Sequence, residues 1–450
     1  MSGQSFDLVV LGGGSGGLAA CFRAASHGAK VAMLEPALLG GTCVNVGCVP
    51  KKAMWLAADL AERIALASAL GFDVPAAPRL SWPRLLQRRQ QYIDGIHASY
   101  RQRLQDSGVV HIAQRGRLRD ARTVECEDGT RLHAGHIVIA TGSYALKPDL
   151  PGAGLGGVSD DFFALQAAPA RVAIVGGGYI AVELAGVLHG LGSEVTLLVR
   201  GRELLSQFDA EMTAQLAQNL RQQGITVRFE CQLQALERRA GGIHARLRGG
   251  AADALFDTVL FATGRAPSTR GLGLEAAGVA LDDNGAIVVD AFQNTSVPGI
   301  SAVGDVTAQA MLTPVAVAAA RRLMDRLYGG QPEARLDYDN IPSVVFSHPP
   351  LGSVGLSEAQ ARGRFDTVTT YHSRFRPMLQ ALGDGQTRSL FKMVCAGADE
   401  KVVGIHLLGE GADEILQGFA VALKAGVTRR QMADTLAIHP TSAEEVVLMR

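Results

Sequence analysis

The chain has 450 residues, 47% of them hydrophobic, and its 43 basic side chains balance 43 acidic ones to a net charge of zero. That length gives roughly two to four domains with a large core and excludes a small disulfide-stapled scaffold; zero charge excludes a strongly basic nucleic-acid binder and a disordered acidic tail. No uninterrupted apolar run reaches the roughly 18 residues of a membrane span, because Glu183, His189 and Glu194 break the longest candidate. The first basic residue is Arg23, so the N-terminus lacks the charged region of a secretory signal and a cytoplasmic protein is expected.

In chain order, the apolar residues 7–11 end in Gly12-Gly13-Gly14-Ser15-Gly16-Gly17 and lead into a helical pattern that reaches His27. This is a strand, a glycine turn and a helix. A second strand, 30–34, ends in Glu35. Next comes Gly40-Gly41-Thr42-Cys43-Val44-Asn45-Val46-Gly47-Cys48-Val49-Pro50-Lys51-Lys52, in which Pro50 suits a first helical turn and Lys51 opens a helix-forming run. Residues five apart on a straight helix are about 7.5 Å apart along its axis, beyond the roughly 4.4–6.8 Å between the Cα atoms of a disulfide. If Cys43 and Cys48 bridge, Cys43 lies in a distorted lead-in and Cys48 near the helix start, where the helix dipole and a nearby lysine favour a thiolate. In a cytoplasmic protein such a bridge is catalytic rather than structural. Half of a zinc site and two buried free thiols are the alternatives. The first needs two more ligands at short spacing, which the sequence does not offer, and the second makes poor use of the adjacent lysines and glycines. Cys21, Cys126, Cys231 and Cys395 are scattered singly, too few for a secreted disulfide framework.

Residues 82–108 are basic and helical in pattern, a solvated face. Residues 137–142 form an apolar strand running into a small-residue turn, a pattern that 259–265 repeat, and the pair is expected to close two nucleotide domains. Between them the opening motif recurs: strand 171–175, Gly176-Gly177-Gly178-Tyr179-Ile180-Ala181, a helix with Val182, Glu183 and Leu184, and strand 194–199. Glycines at positions 1 and 3 of such a turn are expected to let the backbone approach a pyrophosphate at the helix N-terminus. Two copies, each between a strand and a helix, point to two dinucleotide sites. The copies differ at the strand end. Glu35 in the first suits a ribose diol; at the same spacing the second has Val199, then Arg200 and Arg202, which suit a 2′-phosphate. Copy one is therefore expected to take an unphosphorylated adenosine such as FAD, and copy two NADPH. From 339 to 450 short strands alternate with amphipathic helices, a separate α+β domain.

Segments 12–17, 40–52 with Met54 and Trp55, 176–183, 262–265, 302–305, 312–314, 346–350 and 439–445 together resemble the flavoprotein disulfide reductases, the class I pyridine nucleotide-disulfide oxidoreductases, and among them the branch that reduces glutathione disulfide. The resemblance covers the whole chain in order. It implies an α/β fold of two Rossmann-like domains plus a C-terminal α+β interface domain. The expected segments are 1–142 (FAD and the redox-active disulfide), 143–267 (NADPH), 268–338 (central, completing the FAD site) and 339–450 (homodimerisation). Hydride would pass from NADPH to FAD, and reduced flavin would open a Cys43–Cys48 disulfide, with Cys48 as the flavin-side thiolate and Cys43 attacking substrate. Lys51 is implied to pair with Glu183 beside the flavin. His439, oriented by Glu444 and reaching over from the other subunit, is implied to protonate the departing thiolate, a task that suits an imidazole.

Implied FAD contacts are Gly12, Gly14, Ser15, Gly16, Gly17, Glu35, Thr42, Cys43, Lys51, Gly116, Asp305 and Thr313. Implied NADPH contacts are Gly176, Gly177, Gly178, Tyr179 as the nicotinamide gate, Ile180, Ala181, Glu183, Arg200, Arg202, Gly264 and Arg265. Ser15, Phe22, Arg23, Tyr100, Arg103, Arg321 and His439 are implied to hold substrate, and no metal is expected. The chain departs from the family pattern at Phe22, where a basic or amide residue is usual, at Arg103, where Asn is common, and at Ser206, where an arginine usually grips the 2′-phosphate. A modified glutathione such as its amide therefore stays open as substrate, as does a relaxed preference for NADPH. A lipoamide-type enzyme would carry an acidic residue at Val199 and Ser at Lys51. Thioredoxin and mercuric reductases need further C-terminal thiols, and this chain ends Val446-Val447-Leu448-Met449-Arg450. A redox-inert nucleotide-binding protein on the same fold is the non-enzyme alternative.

Overall fold

The computed structural model describes residues 4–74, 80–248, 253–383 and 385–450. The chain forms two compact units, one of residues 1–51, 86–146 and 264–338, the other of 52–85, 147–263 and 339–450. Two helices, Cys48–Ala67 and Trp82–Asp106, carry the chain from one to the other.

The first unit is built on a seven-stranded sheet. Strands Val110–Ile112, Val31–Leu34, Gln4–Leu11 and Arg131–Ile139 run parallel in that order, Ile300–Ala302 adds in parallel to Arg131–Ile139, and Thr123–Cys126 and Gly116–Asp120 extend the sheet antiparallel. Its apolar runs are continuous because both faces are covered. Leu8, Val10, Val31, Met33 and Val138 face a layer containing helices Ser15–Ser26 and Thr313–Tyr328, while Val9, Leu11, Ala32, Leu34, Ile137 and Ile139 face the opposite layer with Leu118 and Leu274. Strand alternation thus places the glycine turn after Leu11 at the carboxyl edge of the parallel strands, where open α/β sheets bind ligands.

The second unit repeats the device. Strands Thr226–Arg228, Glu194–Leu198, Arg171–Val175, Thr258–Phe261 and Gly157–Val158 form an all-parallel sheet in that order, with helix Tyr179–Gly190 following the second glycine turn. In each sheet the opening strand sits between the strand that ends in residue 34 or 198 and the strand of the repeated small-residue turn, as expected for strands that close nucleotide domains. A three-stranded antiparallel sheet covers Gln232–Arg239, Gly242–Arg248 and Ala254–Phe256. Residues 339–450 contribute a five-stranded antiparallel sheet, ordered Ser343–Val345, Leu351–Gly355, Lys401–Leu408, Ser389–Ala396 and Val368–Phe375, which buries Phe391, Met393, Ile405 and Leu407 with Leu416 of helix Ala412–Lys424. No described helix is long and apolar enough to cross a membrane.

Candidate active site

Each glycine turn is fixed by what its missing side chains allow. At position 1, Gly12 (φ +107°) and Gly176 (φ +143°) have backbones that L side chains rarely adopt, and a Cβ would meet the carbonyl oxygens of Ala140 at 2.4 Å and Ala262 at 2.3 Å. Position 1 requires a glycine because the neighbouring strand's carbonyl fills the side-chain space. Position 2 abuts the strand end, Gly13 against Glu35 and Gly177 against Val199, at 2.8 and 2.9 Å from an added Cβ. Position 3 alone opens outward. Gly14 has only a Gly41 Cα at 3.8 Å and Gly178 has nothing within 4 Å, and these two residues precede the helices Ser15–Ser26 and Tyr179–Gly190, neither of which has a side-chain cap at its N-terminus. Gly17 packs on the Gly12 carbonyl.

At the end of the second strand Glu35 takes hydrogen bonds on both oxygens, from Gly13 N and Ala37 N at 2.8 Å each. Its carboxylate is therefore oriented, with lone pairs left for a diol. Val199 is buried, whereas Arg200 and Arg202 are exposed and Arg202 binds Glu230 at 2.8 Å. Gly116 opens the strand Gly116–Asp120, with Leu11, Leu34 and Val124 side chains filling the space of its absent Cβ, so its place in the fold is one of packing.

The cysteine segment folds as a short helix, Gly41–Val46, broken at Gly47, and a long helix that starts at Cys48. A Cβ at Gly47 would meet the Thr42 carbonyl at 2.7 Å, so the break needs glycine and turns Cys43 back toward Cys48. This is the distorted lead-in that the five-residue spacing requires. The structure holds the two as thiols in hydrogen-bond contact. That bond, then burial, then the charge of Cys48 push the Cys43 thiol well above its ordinary range. The two sulfurs therefore give up one proton far more readily than two. Cys48 Sγ lies 3.5 Å from Thr313 Oγ1, at the N-terminus of helix Thr313–Tyr328, where a thiolate is favoured.

Asn45 was passed over in the sequence. Its Nδ2 donates to the carbonyls of Gly41 (2.8 Å) and Leu39 (3.1 Å), and its Oδ1 is 2.8 Å from Nε2 of buried His97. It ties the short cysteine helix to helix Trp82–Asp106, and its only sequence signal was its place between the cysteines.

Cys43 opens onto a pocket of about 910 Å³ that also meets Ser15, Phe22, Arg23, Tyr100, Arg103, Thr313 and Arg321. All of the expected substrate residues except His439 are thus brought together. Arg23 does not stand free in it: its Nε binds Asp325, a buried carboxylate that His27 also meets at 3.0 Å. Burial would raise Asp325, but Arg23 and His27 outweigh it and hold the group below the usual carboxylate range. Burial, with the nearby Cys43 adding to it, pushes the Tyr100 hydroxyl up. Asp305 accepts from Ser143 Oγ at 2.7 Å, and Ser143 Oγ accepts from Arg265 Nε at 2.8 Å.

In the other unit Glu183 is buried on helix Tyr179–Gly190 and accepts from Phe346 N at 2.9 Å. Lys51 and Glu183 thus belong to different units. Tyr179 is exposed at the helix start. His439 Nδ1 lies 2.9 Å from Glu444 Oε2, and Thr441 N donates to Glu444 at 3.0 Å. The His439 bond leads the effects that hold Glu444 below its ordinary value. The Glu444 carboxylate can only accept, so Nδ1 donates and the bond orients this exposed ring. Among the described residues no cluster of three or more His, Cys, Asp or Glu is placed to hold a metal.

Residues 6–320 match the pyridine nucleotide-disulphide oxidoreductase model, and residues 341–450 match that family's dimerisation domain. The chain belongs to the pyridine nucleotide-disulphide oxidoreductases. Within that family it is similar to a glutathione reductase from Yarrowia lipolytica, 42% identical over 99% of both chains, and to one from Schizosaccharomyces pombe, 41% identical over 99% of this chain and 98% of the other. The pyridine nucleotide-disulphide oxidoreductase signature thus runs through both units and both glycine turns.

Proposed function

We propose that the chain is an NADPH-dependent glutathione-disulfide reductase that uses FAD and a Cys43–Cys48 redox pair and so maintains reduced thiol. The observation that carries this reading is Cys43 on the wall of an arginine-bearing pocket, with Cys48 behind it at Thr313. Glutathione disulfide bears four carboxylates, and arginines are the side chains suited to them, whereas lipoamide is neutral.

The residues fit the two cofactors. The open space at Gly14 and the oriented Glu35 carboxylate suit FAD, and the open Gly178, apolar Val199 and exposed Arg200 suit NADPH. Asp305, Thr313, Thr42 and Lys51 would complete the flavin site. The functional segments are 1–142 and 268–338 for FAD, 143–267 for NADPH and 339–450 for the homodimer, the last supported by the dimerisation-domain match. The chemistry FAD supplies when bound is transfer of the electron pair of an NADPH hydride to the cysteine pair.

Once reduced, the cysteine pair carries one proton, which it gives up to His439 Nε2 as the Cys43 sulfur attacks one sulfur of the substrate. The substrate S–S bond breaks, a mixed disulfide forms on Cys43, and the departing thiolate takes the proton of His439 Nε2, held in place through Nδ1 by Glu444. The Cys48 thiolate then attacks the Cys43 sulfur, re-forms the Cys43–Cys48 bond and releases the second glutathione, which takes up a proton from the medium. One NADPH and one proton are consumed for two thiols. A reductant drawn from NADPH and four buried single cysteines fit a reducing compartment, and we place the enzyme in the cytoplasm.

The test is steady-state oxidation of NADPH by purified holoenzyme with glutathione disulfide, run beside NADH and beside lipoamide. Turnover confined to NADPH with glutathione disulfide is expected. Flavin reduction by NADPH without glutathione turnover would move the enzyme to another disulfide.

A further inference from the structure

We propose that Phe22 and Arg103 act as one specificity element that selects a disulfide whose arms end in free carboxylates, against the same disulfide with those ends amidated. The inference rests on the proposed function and deepens it. It starts from the charge inventory of the Cys43 pocket. Arg23 is held by Asp325, and Arg322 Nη1 lies 3.9 Å from the same carboxylate. Asp325 is the pocket's one acidic lining residue. The cations not neutralised by it are Arg103 and Arg321.

Arg103 is exposed, and its guanidinium lies 4.2 Å from the centre of the Phe22 ring. The ring attracts the cation and restrains it, and a planar guanidinium offers N–H groups in a fork that matches a carboxylate. A long exposed side chain is thereby ordered before substrate arrives, so less conformational freedom is lost on binding. Position 22 is one turn along helix Ser15–Ser26 from Ala19, which also meets the pocket, and position 103 comes from helix Trp82–Asp106. The two helices thus bring an aromatic support and a charged head together from opposite sides. An aromatic residue at 22 supplies no charge itself, yet the stack supplies one at the same place from a neighbouring helix. The ring is a positioning group, and the fork is the group that touches substrate.

The experiment uses the holoenzyme with glutathione disulfide and with its analogue carrying glycinamide ends, in the unmutated protein and in Arg103→Met, Arg103→Lys, Phe22→Leu and Phe22→Leu/Arg103→Met. Losing a charge-assisted contact corresponds to about a 10- to 100-fold change. Unmutated enzyme is expected to prefer the free acid in kcat/KM by that order, through KM, with kcat alike for both substrates. Arg103→Met should raise KM for the free acid and remove the preference. Arg103→Lys, which keeps charge but loses the planar fork, should fall between. Phe22→Leu should weaken the preference, and the double variant should match Arg103→Met alone, because the ring acts through the guanidinium. Equal KM for the two disulfides in an enzyme that turns over glutathione disulfide normally would overturn this inference alone. Additive effects of the two substitutions would overturn the coupling of ring and fork. No turnover of glutathione disulfide in the unmutated enzyme would overturn the proposed function and this inference with it.

Discussion

At the scale of single residues, the proposed chemistry rests on two sulfurs and one imidazole. The Cys43 thiol, on the pocket wall, is pushed up by its bond to Cys48, so the pair gives up one proton more readily than two. Glu444 does the complementary work on His439, fixing the ring through Nδ1. If Nε2 is the acid that protonates the leaving thiolate, His439→Ala should slow glutathione reduction by roughly 10²–10⁴-fold while NADPH still reduces the flavin at its normal rate. Stopped-flow traces of flavin absorbance beside steady-state turnover separate the two steps, and a loss of turnover under about tenfold would remove His439 from that role.

At the scale of elements, the cysteine helix depends on a residue that carries no chemistry. Asn45 bonds two carbonyls of the lead-in and reaches buried His97, so Asn45→Ala leaves those carbonyls and the imidazole without their partner. Unfolding free energy should drop by about 1–3 kcal/mol; a change within about 0.5 kcal/mol, as at an ordinary surface site, would show that the helix break at Gly47 stands without it. What could be read in advance follows the same division. The strand, turn and helix of each copy were legible because apolar runs and glycines sit next to one another in sequence, and a distorted lead-in before Cys48 followed from the fixed rise of a helix and the reach of a disulfide, though its place at Gly47 did not. The pairing of Arg23 with Asp325, 302 positions away, was not legible, because only the packing of helix Ser15–Ser26 on helix Thr313–Tyr328 brings them together. The stack of Arg103 on Phe22 was hidden for the same reason. The carbonyl that demands the first glycine was hidden too, because sequence shows that a residue is small, not which neighbour demands it.

For the whole molecule, sharing of the proposed site between two chains can be tested directly. The cysteines and His439 lie in different compact units, Leu436 and Ile438 beside His439 are 94% and 75% exposed, and residues 341–450 match a dimerisation domain. If each site takes its cysteines from one subunit and its imidazole from the other, Cys43→Ser and His439→Ala chains are inactive as homodimers, but each mixed dimer contains one intact site. Refolding an equal mixture should return about a quarter of normal activity. Sedimentation or light scattering checks that dimers have formed. Activity no higher than that of the separate mutants would mean that each chain supplies its own imidazole.

The two glycine turns share strand order, positive-φ lead glycine and open third position, and differ in what the second glycine rests against, Glu35 or Val199. The frame that seats a pyrophosphate is therefore separate from the side chain that inspects the far ribose. A lineage can rewrite that one edge in one copy without disturbing the other. Choice of reductant and retention of flavin are thus free to drift independently, and the price list of cellular electron donors can change while the thiol chemistry stays the same.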